Sequence, residues 1–360
     1  MLWKGALFLL AWHVFAQAGH AGFAWTDLFD RWDARHYRTI ALDGYAASGI
    51  APEDRRFLAH FPPLYPLATR GLVALGLYPG AAASLVSLAS ALLATLVLHR
   101  LALAELRDRG AAFRAAALFN LYPTAYFTSA PYAEGLYLLL AALTFHALRV
   151  RKSLWLGAAC VALATLTRLI GLALLAPLAW VGFAVWRERR RLRDFAGPLL
   201  LAGLGGVAYL ALNLAYQDDA FFFLRNLEAE ISAIKPGALP FRFTASGLSR
   251  FLLDPSAWSD PVFMAHTGWN ALFVVFAVGV TCVGAFRLAA PYTAYAVALL
   301  AIVASLDWAV SNARYTLALL PMFLVLGQLR TRWLAALLAL GFATGQLYFA
   351  ARFVRGEWAF

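Results

Sequence analysis

Charge is what this chain has least of. Only 14% of its 360 residues are Asp, Glu, Lys or Arg, against about 25% in soluble globular proteins. Hydrophobic residues reach 62% and the mean hydropathy is +0.69, which excludes a water-soluble globular composition. Cysteine is nearly missing as well. Cys160 and Cys282 are the two, each inside an apolar run, so no disulfide framework and no cysteine-based metal site can be built. Short segments of strict apolar–polar alternation are also lacking, and that excludes a membrane β-barrel.

What is present is continuous hydrocarbon-compatible sequence, in runs able to cross roughly 30 Å of lipid. It predicts an all-α polytopic membrane protein, a single integral membrane domain over residues 1–360. About eleven transmembrane helices are expected, near 2–19, 80–98, 112–129, 132–148, 154–166, 169–186, 196–215, 268–286, 289–306, 316–329 and 333–351. The opening stretch also contains Ala16-Gln17-Ala18, which looks like a signal-peptide cleavage site. Its thin positive end, Lys4 alone, and the interrupting His13 favour a retained first span.

Orientation follows from the arginines, because cytoplasmic connections carry the excess of Lys and Arg. Alternate connections hold Arg100/Arg107/Arg109/Arg114, Arg149/Arg151/Lys152, the run RERRRLR (187–193) and Arg330/Arg332. With these inside, together with Lys4 and Arg287, the inner face gathers 16 basic residues against four acids; 15 of the 19 acids then lie outside. This asymmetry accounts for the net charge of +11 through topology and contact with anionic membrane lipids, without nucleic acid. Chemistry that needs carboxylates therefore belongs on the extracytoplasmic face, in two long segments, 20–79 and 217–266. Alanine- and arginine-rich composition with short inner loops points to a bacterial plasma membrane.

The first outer loop is a polar island, TDLFDRWDARHYRTIALDGY from Thr26, followed by HFPPLYP at 60–66. Read as amphipathic helix lying in the membrane interface, it places Asp33 one turn from His36 and Tyr37, and three residues from Asp30. Trp32 offers an apolar face beside it. Asp33 is the candidate catalytic residue, with a surface helix of solvated charges as the plain alternative; Asp27 and Arg38 read as solvated surface charges. The prolines of HFPPLYP fix the backbone and remove donors, so the segment is either a rigid wall or a turn before the next helix.

Three charged residues stand in apolar surroundings. Glu134 heads a hydrophobic helix, where it either caps the helix N-terminus or faces a polar cavity or an arginine. Arg168, in ATLTRLIG, has no acid near it in sequence, and an arginine deep in a bilayer costs about 2.5–3.5 kcal/mol on insertion scales. It must meet an anion or reach the interface. Arg314, in NARYTLALLP, poses the same question, with snorkelling as its plain alternative. A phosphate suits both guanidiniums, which bind it in bidentate fashion.

RWDARHYRTIALDGY (31–45), FPPLYP (61–66), YPTAYFTSAPYAEGLYLL (122–139), LATLTRLIGLAL (163–174) and ARYTLALLP (313–321) occur in the same order as in PIG-V type mannosyltransferases. The chain thus resembles the GPI mannosyltransferase 2-like branch of the GT-C membrane glycosyltransferases, in a bacterial-type form. The resemblance runs from about residue 25 to 325 and leaves 217–266 without an assigned motif. It implies an inverting transferase that takes a sugar, usually mannose, from a polyprenyl-phosphate donor and passes it to an acceptor hydroxyl. The acceptor would be a glycolipid, a glycan or a protein. The acidic residue of the first outer loop, here Asp33, is the implied base. Arg168 and Arg314 would hold the phosphate, with His36, Glu134, Trp32 and Asp30 as further donor- or substrate-binding residues. No metal is obligatory, since arginines suffice for one phosphate, although Asp30 with Asp33 offers a place for Mg2+. The extra proline in Pro62-Pro63 departs from the familiar FPLYP spelling. The competing class is a transporter or lipid flippase, whose charges would sit along a path at mid-depth rather than converge on Asp33.

Overall fold

A computed structural model describes residues 2–17, 23–230, 241–304 and 311–360. Among these the chain is helical, with no strand. The helices used below are α1 (Leu2–Gln17), α2 (Asp33–Asp43), α3 (Leu64–Ala74), α4 (Pro79–Leu106), α5 (Arg109–Leu121), α6 (Glu134–Arg149) and α7 (Leu154–Thr167). They continue with α8 (Leu175–Arg189), α9 (Arg193–Gln217), α10 (Trp269–Arg287), α11 (Ala290–Ala304), α12 (Asn312–Thr316), α13 (Leu320–Gly327) and α14 (Arg332–Val354).

Each of the eleven expected apolar segments contains a helix, but they fall into two classes. Among the described residues five stretches are long and apolar enough to cross a membrane: Pro79–Leu106, Leu169–Arg189, Arg193–Gln217, Pro261–Arg287 and Arg332–Val354. Others are shorter, 13 residues in α5, 16 in α6 and 14 in α7, against about 20 for a full crossing. The cause is visible at one end of the bundle. There the chain leaves α-helix for 3-10 turns at Ala125–Thr128 and Leu169–Leu174 and for the single turn of α12. Irregular backbone at that depth is tolerated only when protein buries it, and Thr124 through Glu134 are all buried. We call this the site end.

The opposite end holds the arginine-rich connections. Arg149 forks onto Glu105 at 2.9 and 3.1 Å, tying α6 to α4. Asp108 caps α5 by accepting the Ala111 N–H at 2.8 Å. Lys4 is the exception to the expected layout. Rather than lying among these basic residues, its ammonium donates to the Ala125 carbonyl at 3.0 Å, Thr128 Oγ1 at 2.6 Å and Ser129 Oγ at 2.9 Å. α1 therefore starts beside the site-end turn, and its lysine is a buried structural donor instead of a topology signal. A buried ammonium needs such a set of acceptors.

The second long segment forms helices at Phe222–Glu230 and Arg242–Leu253; residues 231–240 lie outside the described residues, as do Ala18 and the end of the expected span at 289–306.

Candidate active site

The site is assembled on α4. Ser87 donates to the Tyr132 carbonyl at 2.9 Å and accepts the Tyr132 N–H at 3.2 Å, fixing the loop that leads into α6. Gly135 makes this approach feasible, because a Cβ there would lie 2.5 Å from the Ser87 carbonyl oxygen. Glu134, one residue earlier, is thereby seated at the start of α6 and buried. The HFPPLYP segment supports the same point from the other side. Its last residues open α3, with Pro63 as the N-cap, a position that needs no N–H. Tyr65, fully buried, reaches Ala83 O and Ser87 Oγ, each at 2.9 Å.

Asp33 is the first residue of α2. Its N–H donates to the Tyr132 hydroxyl at 3.2 Å, and that hydroxyl donates to the Arg31 carbonyl at 2.8 Å. Its carboxylate accepts Arg314 Nη1 at 2.9 Å. Arg314 also donates through Nε to Glu134 Oε1, and Arg168 donates through Nη1 to that same oxygen. Four charges from four distant parts of the chain thus form one chain of ion pairs, Asp33–Arg314–Glu134–Arg168, with no net charge. Side-chain exposure falls from 30% at Asp33 to 6–7% at Glu134 and Arg314. Asp33 is the open end.

Aromatic rings hold the guanidiniums in place. Arg314 lies 4.6 Å from the Phe127 ring centre and 4.8 Å from that of Tyr132, and Arg168 lies 5.4 Å from Tyr315. Cation–π contacts of this kind strengthen once desolvated, to about 2 kcal/mol. The Tyr132 hydroxyl is buried and bridges the Asp33 N–H and the Arg31 carbonyl. A cavity of about 10 Å3 is lined by Glu134, Arg168, Arg314 and Tyr315, room for roughly one water.

The remaining sequence-nominated residues take other positions. His36 is buried and stacks on Phe61 at 5.1 Å between ring centres, with Phe57 also at 5.1 Å. Its Nε2 accepts from Arg35 Nε at 3.5 Å. Burial lowers its pKa below 6.5, with Asp33 drawing it partly back. Asp30 is paired with Arg38 rather than turned toward Asp33, so the two aspartates are held by different arginines. Among the described residues no group of three or more His, Cys, Asp or Glu side chains is placed to hold a metal ion. Trp32 immediately precedes α2 with φ 51° and ψ −115°, a conformation costing of order 1–3 kcal/mol in a bulky residue. It is 44% exposed and meets the edge of Trp358 at 5.2 Å. Phe127, Tyr132 and Ser87 complete the site and were not singled out from sequence. The first two stand inside the quoted block 122–139, where aromatics flanking an acid were the available signal.

Two solved structures have a similar course of chain. ArnT from Cupriavidus metallidurans, bound to undecaprenyl phosphate, aligns with 90% of this chain and 58% of its own, at 18% identity and a TM-score of 0.49. The archaeal oligosaccharyltransferase AglB from Archaeoglobus fulgidus, in complex with an inhibitory peptide and a dolichol-phosphate, aligns with 99% of this chain and 56% of its own, at 12% identity and a TM-score of 0.46. The chain thus spans somewhat over half the length of each. No curated protein matches it. The family model for mannosyltransferase (PIG-V) matches residues 24–217, more than half of the chain and the part that contains Asp33, Glu134 and Arg168. The chain belongs to the PIG-V mannosyltransferase family.

Proposed function

We propose that this protein is an inverting glycosyltransferase that moves mannose from a polyprenyl-phosphate donor to an acceptor hydroxyl at the extracytoplasmic face of a bacterial plasma membrane. The observation that carries the reading is the ion-pair chain running from the half-open Asp33 carboxylate to the buried Arg314, Glu134 and Arg168. A carboxylate beside guanidiniums is what such a reaction requires. The acceptor O–H transfers its proton to Asp33 as its oxygen attacks the anomeric carbon. The bond from that carbon to the phosphate oxygen breaks, and the electron pair leaves with the polyprenyl phosphate. Arg314 and Arg168 offset the charge that develops there. Glu134, paired with both arginines, braces them.

For the phosphate to engage Arg314, the guanidinium must share or release Asp33, and that release frees the carboxylate to act as base. An apolar groove of about 510 Å3 between α10 and α14, lined by Trp269, Phe273, Phe276, Phe342 and Phe349, suits the prenyl chain. It adjoins the site through Asn270, whose Oδ1 accepts the N–H of Ala313, next to Arg314. No step calls for a metal.

The test is incubation of the purified protein with radiolabelled polyprenyl-phosphate-mannose and a membrane extract, followed by identification of the labelled product. Label should move onto an acceptor with the wild type and not with Asp33→Asn. Wild-type transfer by that variant would remove Asp33 as the base.

A further inference from the structure

A cluster of charge that the proposed transfer does not use lines a cavity of about 660 Å3 at the opposite end of the bundle. Three elements each bring an arginine to it: Arg114 from α5, Arg287 from the end of α10 and Arg330 from the segment after α13. Arg114 is anchored, its Nε donating to the Gly327 carbonyl at 2.9 Å. Gly327 lets α13 come this close, because a Cβ there would lie 2.6 Å from the Ala111 carbonyl oxygen. Arg287 and Arg330 are exposed, and their side chains make no ion pair or hydrogen bond among the described residues. The two acids in the wall are already engaged. Glu105 holds Arg149 through both oxygens, and Asp108 caps α5. With Arg149 counted, four guanidiniums face two carboxylates, which leaves a surplus of two positive charges.

We infer that this cavity binds an anionic phosphate ester. Guanidiniums from three separate elements surround the space, and each can fork onto a pair of phosphate oxygens. The depth of the cavity points to a membrane lipid as the source. The stretches Pro79–Leu106 and Pro261–Arg287 are 28 and 27 residues long, about 40 Å each at the helical rise. Both outlast the roughly 30 Å of hydrocarbon, and both end in the cavity wall, at Leu106 and Arg287. The cavity therefore lies at the level of lipid head groups rather than among acyl chains. Basic cavities between membrane helices take phosphate head groups in this way. A bound phosphate ties together α5, α10 and the end of α13. A soluble phosphate ester offers the same oxygens without the tail.

The test follows melting of the protein in neutral detergent as phosphatidylglycerol is added. Phosphatidylcholine, whose head group has no net charge, is the control, and sn-glycerol 3-phosphate is the soluble arm. Phosphatidylglycerol should raise the melting temperature by several degrees over phosphatidylcholine, as a ligand of the folded state does. Native mass spectrometry should retain the bound phosphatidylglycerol. Arg287→Gln with Arg330→Gln should remove most of that gain and the retained lipid, while melting as wild type does without lipid. Arg330→Gln alone, the milder change, should weaken phosphatidylglycerol binding severalfold. Arg190→Gln with Arg191→Gln removes the same charge from an exposed run and should keep both the gain and the lipid. An equal, Arg287- and Arg330-dependent gain with glycerol 3-phosphate would support the phosphate site and assign it to a soluble ligand. No gain over phosphatidylcholine, a gain that survives the Arg287 and Arg330 changes, or one lost equally with Arg190 and Arg191 overturns the site.

Discussion

Arginine lives two different lives at the two ends of this molecule. At the site end, Arg168 and Arg314 are buried, share one glutamate oxygen and lie against aromatic rings. At the opposite end, Arg189 and Arg193 are 66% and 77% exposed and meet Asp194 only at 4.0 and 3.8 Å. Identical side chains therefore carry different energetic weight. A buried guanidinium stripped of water depends on its partners for its whole compensation, whereas an exposed one keeps its water and gains little from an ion pair. The site end is a structure built around charge; the opposite end is a surface that happens to be charged.

The sharpest way to break that comparison is to remove the shared partner. Glu134→Ala leaves Arg314 with Asp33 and takes from Arg168 the carboxylate it pairs with, and removal of one member of a buried pair costs about 3–5 kcal/mol. Melting in detergent or nanodiscs should fall accordingly and transfer should vanish. Glu105→Ala removes the partner of Arg149, whose side chain is 25% exposed, and should be far milder. Equal losses from the two would mean that burial does not separate the two ends.

Function separates from stability one step further along the ion-pair chain. Asp33 is 30% exposed, so Asp33→Asn should leave the fold intact while transfer drops by about 10^2–10^4, the usual contribution of a positioned general base. Arg314→Lys keeps the charge but not the fork that spans Asp33 and Glu134. It should lower turnover by about 10^2–10^3, the scale seen on losing one preorganised donor, measured as kcat with saturating donor.

Which of these features could be read in the sequence depends on how local they are. The long apolar helices and the arginine-rich end were legible, because hydropathy and charge are properties of short windows. So was the requirement that Arg168 either meet an anion or reach the interface. Which anion was not, since Glu134 lies 34 residues from Arg168 and 180 from Arg314, and Asp33 lies 281 from Arg314. Only folding brings them together. Lys4 misled for the same reason. A lone lysine near the start of an apolar helix reads as a topology signal until the acceptors of the turn at 125–129 are in place around it. The shortness of α5 was likewise hidden, because the 3-10 turn Ala125–Thr128 continues the apolar run that α5 begins, whereas α6 and α7 were already short in the expected spans 132–148 and 154–166.

A smaller effect should appear with pH, and it sharpens the contrast through His36. Burial against Phe57 and Phe61 favours its neutral ring, and Asp33 opposes this only in part. Its folded pKa is therefore below the unfolded value of about 6.5. Sign follows from proton uptake: below pH 6.5 the unfolded chain binds a proton that the folded chain refuses, so stability falls as pH drops. The contribution is fully present above pH 6.5 and is lost as pH falls through the lowered folded value. His36→Phe should flatten that part of the melting-temperature profile.

At the bottom of the scale stand the exposed arginines. Arg190→Ala with Arg191→Ala removes two charges for which no ion pair is found among the described residues, at positions that are exposed. Each should change stability by no more than about 0.5 kcal/mol. Neutralising the whole run Arg187–Arg193 should act on insertion instead, because the excess of basic residues beside a span sets its orientation during synthesis and not the strength of the finished fold. A glycosylation or cysteine-accessibility reporter at 217–230 should then register a mixed population of orientations, while the correctly inserted fraction melts as wild type does. A large drop in the melting temperature of that fraction would show that the two ends differ less than their burial says, and that the exposed arginines also hold the fold.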